Sequence, residues 1–304
     1  MTCVTVVLPA FQAAATIERA LNSLRHQEHE DWRAIVIDDG STDDTTERAL
    51  SSGDKRINVL RQSNAGSAAA RNAALQLVTT DYVGFLDADD EWLPNKLRLQ
   101  IPYLAYADFV YADCDVVNAN GASRPYSHRV RPMPPSADPL AWLLSRPNPI
   151  PTLTVVARTR DVLSAGGFPP EYRGPEDLAL WLALADRGAV FARLPRVVAR
   201  YHLGPDSLSS DASKMLREEV ELFKDQTKAH AGTYYGKLAQ RRTTKTLALE
   251  RASRRRCDST MPERWRDLKD VMRGRRDPRA LTSQLAYTVL PRIARVHVHK
   301  DRRA

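Results

Sequence analysis

The sequence predicts an α/β fold in which a mostly parallel sheet carries helices on both faces, followed by a basic helical extension. Two observations predict this class. Short apolar runs alternate with helical patterns over the first hundred residues, and the chain beyond about residue 210 has the pattern of polar helices. Such alternation is typical of a parallel sheet, because each crossover helix returns the chain to the edge where the previous strand began.

The first half has a regular order of strands and helices. Runs of aliphatic and β-branched residues predict buried strands at 4–11, 34–38, 57–61 and 82–86. Helices are predicted at 14–26, from Asp44 onward, where D-T-T-E can form a capping box, and at 67–78. The aligned carboxyl ends of these strands predict a ligand site at one edge of the sheet.

The second half is less regular. It is predicted to contain a strand at 109–117, an irregular loop rich in proline and arginine at 124–151, a strand at 152–157, helices at 161–168 and 176–188, and one or two strands within 189–201. We therefore predict one domain over 1–210, made of the halves 1–100 and 101–210, and a helical extension over 211–304.

The composition is that of a soluble globular protein, with 43% hydrophobic and 27% charged residues among 304. No apolar stretch reaches the roughly 18–20 residues that cross a bilayer. The first residues lack a basic region and are predicted to form a strand rather than a signal peptide. Cys3, Cys114 and Cys257 are scattered, without the spacing of a zinc site or a disulfide framework, which favours a cytoplasmic location.

The charge is concentrated in the extension. Residues 211–304 contain 24 Lys and Arg against 12 Asp and Glu, a net charge of +12, so the first 210 residues carry −4 of the total of +8. Three interpretations remain open for this region: helices that pack on the domain, a peripheral contact with the cytoplasmic face of a membrane, or nucleic-acid binding. The last is disfavoured, because no nucleic-acid module is recognised. Residues 281–298 are amphipathic, with a break expected at Pro291.

An acidic cluster follows the fourth predicted strand. Asp87, Asp89 and Asp90 lie within four positions, and burying carboxylates is costly unless they are paired or bind a metal. Oxygen ligands at a strand end suit Mg²⁺ or Mn²⁺ bound to a phosphate-bearing ligand, with a capped turn as the plainer alternative. Asp39 and the loop 64–72 are predicted to lie at the same edge of the sheet.

Six elements in this order resemble the family 2 glycosyltransferases over about residues 3–208: LPAF, VIDDGSTD, NAGSAAARN, FLDADDEWLPNKL, GGF and PEDLALW. The resemblance implies a GT-A fold, with a nucleotide-binding half at 1–100 and an acceptor half at 101–210. It implies inverting transfer from a UDP- or dTDP-sugar to an acceptor hydroxyl, on a glycan or a lipid-linked molecule, in cell-surface glycan synthesis. The Q-x-x-R-W pattern of processive members is missing, which favours transfer of a single sugar.

The resemblance also implies roles for individual residues. The residues expected to bind the nucleotide are Pro9, Ala10, Phe11, Asp39, Arg71 and Asp87. Those expected to hold Mn²⁺ or Mg²⁺ are Asp89, Asp87, Asp90 and His202. Asp177 corresponds to the catalytic base, and Glu176 and Trp181 are expected on the acceptor side.

Plainer roles stay open for several of these residues. Asp177 can be an acidic residue favoured by the helix dipole, His202 a structural histidine, and Trp181 a packing residue rather than a platform for sugar. Glu176 can instead orient the start of its helix.

Two other functions are alternatives to sugar transfer. A dinucleotide-binding oxidoreductase is disfavoured, because LPAFQAAA stands where a G-x-G-x-x-G would follow the first strand. A noncatalytic adaptor that uses the basic extension to bind a membrane or nucleic acid is the other alternative.

Overall fold

The computed structural model describes residues 2–51, 53–118, 120–128, 130–203 and 212–258. The strands are β1 Val4–Ala10, β2 Trp32–Asp38, β3 Ile57–Arg61, β4 Tyr82–Phe85, β5 Glu91–Trp92, β6 Phe109–Val117, β7 Ser123–Pro125, β8 Val156–Arg158 and β9 Phe191–His202. The helices are α1 Ile17–Arg25, α2 Thr45–Leu50, α3 Ser67–Leu75, α4 Lys96–Gln100, α5 Pro139–Ser145, α6 Thr159–Ser164, α7 Glu176–Asp186, α8 Ala212–Ala229 and α9 Tyr234–Asp258. Short 3₁₀ turns lie at Ile101–Ala105, Tyr126–His128 and Thr152–Thr154.

The strands form one sheet in the order β3-β2-β1-β4-β8-β6-β9-β5, with β7 paired to β6. β3, β2, β1 and β4 are parallel, as the alternating pattern predicts. β8 lies antiparallel between β4 and β6, and β9 is parallel to β6. β5 and β7 are also antiparallel to their neighbours, so six strands of the described sheet share one direction. The mostly parallel sheet is confirmed, and each antiparallel pair among the described strands includes at least one strand of the second half.

Helices cover both faces of the sheet, as predicted. On one face α1, α2 and α4 pack over the alternate residues of β1 and β2, including Val6, Leu8 and Val36. On the other face α3, α5 and α7 enclose Val7, Ile37 and the ring of Phe85. Because β1 and β2 are buried on both faces, their sequences are mostly apolar rather than alternating, with Thr5 in β1 and Arg33 and Asp38 in β2 as the polar residues.

Several local predictions need correction. The segment 124–151, expected to be irregular, contains β7 and α5, and α5 begins where the Asp138 carboxylate accepts a hydrogen bond from Ala141 N at 3.1 Å. An Asp-Pro pair is a good helix start, because Asp caps the first free N–H groups and Pro suits the first turn. The strand expected at 152–157 is instead a 3₁₀ turn followed by β8.

The extension is helical in its described part. α8 packs against α9, and α9 packs on α5, so these helices are joined to the domain. No helix among the described residues is both long and apolar enough to cross a membrane. The amphipathic segment 281–298 with Pro291 lies outside the described residues, and the division of the chain at residue 210 stays a prediction.

Candidate active site

Arg71 supplies a positive charge to Asp87, one member of the acidic cluster. Its guanidinium, on α3, donates from Nη2 to Asp87 Oδ1 at 2.6 Å and from Nη1 to Glu176 Oε1 at 2.9 Å. Burial disfavours the charged guanidinium, but the charges of Asp87 and Glu176 outweigh it and raise the pKa of Arg71. The side chain is almost fully buried, so this is a buried ion-pair bridge between the end of β4 and the start of α7.

Asp177 lies in the first turn of α7, one residue beyond that bridge. Its Oδ2 accepts hydrogen bonds from Thr152 Oγ1 at 2.9 Å and Asn148 Nδ2 at 3.3 Å, and its Oδ1 accepts one from Leu178 N at 2.6 Å. Burial, and then the charge of Glu176, raise the pKa of Asp177 to about 7, against the opposing effect of the Thr152 hydrogen bond. A carboxylate with a pKa near neutrality can take a proton from a hydroxyl as a general base.

Asp89 and Asp90 differ in their surroundings. Asp90 has no exposed surface, and its Oδ1 accepts a hydrogen bond from His202 N at 2.8 Å, which ties the end of β4 to β9. Burial, and then the charges of Asp89 and Asp87, raise the pKa of Asp90 well above its ordinary value. Asp89 is partly exposed, and burial followed by the charge of Asp87 raises its pKa to about 6.

The four residues predicted to hold a metal are not brought together as one set. No group of three His, Cys, Asp or Glu side chains in the described ranges is arranged to hold an ion. His202 Nε2 lies 3.5 Å from Glu91 Oε1, and Asp90 is committed to the backbone of His202. These contacts give Asp90 and His202 structural tasks, but Asp90 Oδ2 is buried without a hydrogen-bond partner, so the metal roles of both residues stay predictions.

Asp87 and Asp89 still fit a divalent cation. Asp89 accepts no hydrogen bond from another described side chain, and the ion pair of Asp87 uses its Oδ1. Mg²⁺ and similar ions commonly bind one or two carboxylates and take their other ligands from substrate phosphates and water. The raised pKa of Asp89 also indicates a carboxylate that lacks compensating charge.

Asp39 shapes the predicted nucleotide end of the site. Its carboxylate accepts hydrogen bonds from Gln62 Nε2 at 2.7 Å, Ala65 N at 2.9 Å and Gly66 N at 2.8 Å, and so orders the loop before α3. Gly66 has a φ of +93°, a conformation that favours glycine. Asp39 therefore has a structural task here, whatever its contact with a base.

Phe11 is the exposed member of the predicted β1 group. Pro9 and Ala10 are buried within β1, whereas Phe11, just after the strand, has 53% of its surface exposed. Asp39 N donates to Ala10 O at 2.8 Å, which brings Asp39 beside this strand end. An exposed aromatic ring next to a polar loop is suited to stacking against a nucleotide base.

Two predicted acceptor contacts are corrected by burial. Trp181 is fully buried and packs against Phe109, with ring centroids 4.7 Å apart, so its expected acceptor contact is wrong. The Glu176 carboxylate accepts hydrogen bonds from Arg71, from Ser67 Oγ at 3.0 Å and from Gly174 N at 2.9 Å. Glu176 thus holds Arg71 and orients the start of α7 instead of facing an acceptor.

Asn148 and Thr152, the two side chains that hold Asp177, were missed in the sequence. They lie in the segment PNPIPT, where two polar residues alternate with prolines that fix the backbone. Such a segment is a weak signal, because proline-rich connections are common in loops.

A separate cleft of about 710 Å³ lies between α1 and β5, and its lining includes Arg19 and Arg200 but none of the predicted site residues.

Comparison with known proteins agrees with the family resemblance of the sequence motifs. Residues 5–161 match the family model described as Glycosyl transferase family 2. WfgD of Escherichia coli, a UDP-Glc:alpha-D-GlcNAc-diphosphoundecaprenol beta-1,3-glucosyltransferase, is 30% identical over 226 residues, which cover 73% of this chain and 85% of WfgD.

Two solved structures share the fold at low identity. S. aureus TarS 1-349 in complex with UDP-GlcNAc matches with a TM-score of 0.65 and 18% identity, over 87% of this chain and 78% of TarS. The mannosyltransferase PcManGT from Pyrobaculum calidifontis, in complex with GDP-Man and Mn²⁺, matches with a TM-score of 0.63 and 19% identity, over 94% and 84% of the two chains. The expected GT-A fold is confirmed by these likenesses.

Proposed function

The chain belongs to glycosyl transferase family 2, and from that premise we propose that it transfers a single sugar, with inversion, from a UDP- or dTDP-sugar to an acceptor hydroxyl. The observation that carries the proposal is the connection from Asp87 through Arg71 and Glu176 to Asp177. It joins carboxylates suited to the donor end with a carboxylate whose pKa of about 7 suits a base. Membership of this family disfavours the oxidoreductase alternative.

The reaction follows from these positions. Asp177 takes the proton of the acceptor hydroxyl as the hydroxyl oxygen bonds to the anomeric carbon of the sugar. The bond from that carbon to the phosphate oxygen breaks, and the nucleoside diphosphate leaves with the electron pair. A single displacement of this kind inverts the anomeric centre. A divalent cation held by Asp87 and Asp89 would supply neutralisation of the negative charge on the departing diphosphate.

Donor binding is the first test of this function. We expect isothermal calorimetry to show UDP or dTDP binding with Mn²⁺, much weaker binding with EDTA, and weak binding of GDP in either condition. Asp89→Asn is expected to weaken the metal-dependent binding at least about tenfold, because it removes a charged oxygen ligand. Asp44→Asn, an identical change at an exposed position of α2's start, is the matched control and should bind as wild type.

Two results would contradict the proposal. Equal binding with Mn²⁺ and EDTA in both wild type and Asp89→Asn would remove the metal role. Preferential binding of GDP would replace the UDP- or dTDP-sugar donor.

The acceptor is proposed to be lipid-linked, in the synthesis of a cell-surface glycan. WfgD, whose acceptor is a diphosphoundecaprenol-linked sugar, supports this class. An exposed row of cations on α9, formed by Lys237, Arg241 and Lys245 at four-residue spacing, supports a peripheral contact with the cytoplasmic face of a membrane. None of the three forms an ion pair with a described residue, so their charge is available to anionic headgroups.

We expect the chain to co-sediment with vesicles that contain anionic phospholipid and not with purely zwitterionic vesicles. Replacing Lys237, Arg241 and Lys245 together by Gln is expected to weaken this binding about 100-fold, since each cation contributes about 1 kcal/mol near an anionic surface. The triple control Arg33→Gln, Arg48→Gln and Lys55→Gln removes the same charge from exposed positions elsewhere. Equal losses in both triple variants would mean that only net charge matters and that α9 is no docking surface.

A further inference from the structure

The turn Thr152–Thr154 holds Asp177 from one side. Thr152 Oγ1 donates to Asp177 Oδ2 at 2.9 Å. Within the turn, Thr154 N donates to Pro151 O at 2.9 Å and Val155 N donates to Thr152 O at 3.1 Å. Because the turn is this tight, any displacement of its backbone moves the Thr152 hydroxyl relative to the carboxylate.

Three buried donors hold the turn from the other side. Trp92 Nε1 donates to Leu153 O at 2.9 Å, Gln100 Nε2 donates to Thr154 O at 2.8 Å, and Lys96 Nζ donates to Thr154 O at 3.2 Å. Lys96 also donates to Gln100 Oε1. The side chains of Trp92, Lys96 and Gln100 are all buried, so these bonds are shielded from competing water.

Stability alone does not explain a lysine at this position. Lys96 has 0% exposure, and burial lowers the pKa of its amine well below the ordinary range. No described carboxylate pairs with it, and the ring of Trp92 lies 4.4 Å from its Nζ. A buried amine that lacks a counter-ion costs stability, and methionine would fill a similar volume without that cost, although it would lose the hydrogen bonds to Thr154 O and Gln100 Oε1.

The same segment also packs against the donor end of the site. The ring of Trp92 lies over Gly84 of β4, where a Cβ would come within 2.8 Å of Trp92 Cη2. β4 leads directly into Asp87. One buried layer therefore contacts both the strand that carries the donor carboxylates and the turn that contacts Asp177.

We propose that Lys96, with Trp92 and Gln100, is a positioning residue that holds the Thr152 hydroxyl against Asp177. It thereby sets the place of this carboxylate relative to Asp87 and Asp89. The catalytic importance of this contact rests on the proposed role of Asp177 as the base. The contact itself does not depend on which sugar or acceptor is used.

A double-mutant cycle read by NMR tests the proposal on the full chain. The carboxyl carbon of Asp177, assigned by its disappearance in Asp177→Asn, is titrated in wild type, Lys96→Met, Thr152→Val and the double variant. Thr152→Val removes a hydrogen bond to the ionised carboxylate and is expected to raise the pKa of Asp177 by about half to one unit. Lys96→Met is expected to raise the pKa of Asp177 when residue 152 is Thr and to add no further shift when residue 152 is Val.

The design separates positioning from direct charge effects. Glu176 and Arg71, the charged groups that act on Asp177, are unchanged in all four proteins. The exposed Lys55→Met is the matched control and is expected to leave the titration unchanged. In a transfer assay at pH 7, Lys96→Met is expected to lower kcat and leave the KM for the donor near wild type.

Either of two titration results would overturn the proposal. An unchanged pKa of Asp177 in Lys96→Met means that Lys96 does not place Thr152. Equal shifts in both backgrounds mean that Lys96 acts through its charge alone. Trp92→Phe, which keeps a large ring and removes Nε1, takes the place of Lys96→Met if that variant does not fold. Absence of sugar transfer by the wild type, with the cycle as expected, would instead remove the base role and keep the contact.

Discussion

Asp177→Asn is expected to lower the rate of sugar transfer by about 10²–10⁴-fold, because the amide cannot take the proton of the acceptor hydroxyl. Nucleotide binding, measured by calorimetry with Mn²⁺, should remain near wild type, because Asp177 contacts Asn148, Thr152 and Leu178 and not the donor carboxylates. Asp186→Asn makes the same change at the exposed end of α7 and serves as the control. Full transfer activity in Asp177→Asn would end the assignment of the base.

The pH dependence of transfer by the wild type gives a second test of Asp177 as the base. Since the base must be deprotonated, kcat/KM is expected to rise with pH up to about 7 and then level off. The raised pKa also means that folded Asp177 binds its proton more tightly than the unfolded chain does. The contribution of Asp177 to the free energy of unfolding should therefore fall as the pH rises from about 4 to about 7. Asp177→Asn should not show this decrease, and its free energy of unfolding above pH 7 should be no lower than that of wild type. A loss of transfer activity in this variant would then reflect the missing base rather than unfolding.

Arg71→Met is expected to have the largest effect on stability, about 3–5 kcal/mol lower free energy of unfolding in urea at pH 7. Methionine fills much of the same volume but leaves Glu176 buried without a counter-ion, and Asp87 without its partner. Arg71→Lys should recover only part of the loss, because one ammonium cannot present two separate planar donors to two carboxylates.

Arg48→Met is the matched control for this substitution. Arg48 is exposed on α2, and its change is expected to stay within about 0.5 kcal/mol of wild type. A loss below about 1 kcal/mol in Arg71→Met would show that the bridge contributes little and that the acidic cluster is compensated in another way.

Much of the fold followed from pattern alone. β1, β2 and β4 are apolar runs with short connections, and a run buried on both faces can only pair as an inner strand. The antiparallel β8 and the helix α5 were not anticipated, because short elements carry little periodicity. Neighbouring strands in space, rather than local sequence, decide the direction of so short a strand.

The sequence by itself determined that Asp39, Asp87 and Asp89 would gather at one edge, because parallel strands place their carboxyl ends together. It also indicated Asp177 through the order of six short elements along the chain. Only the tertiary structure decided that Arg71 joins Asp87 to Glu176, since Glu176 lies 105 positions from Arg71 along the chain. Burial likewise decided that Trp181 belongs to the core, and distant packing brought Thr152 to Asp177. Local pattern specifies what a side chain is able to do, whereas its partners depend on long-range packing that no short stretch encodes.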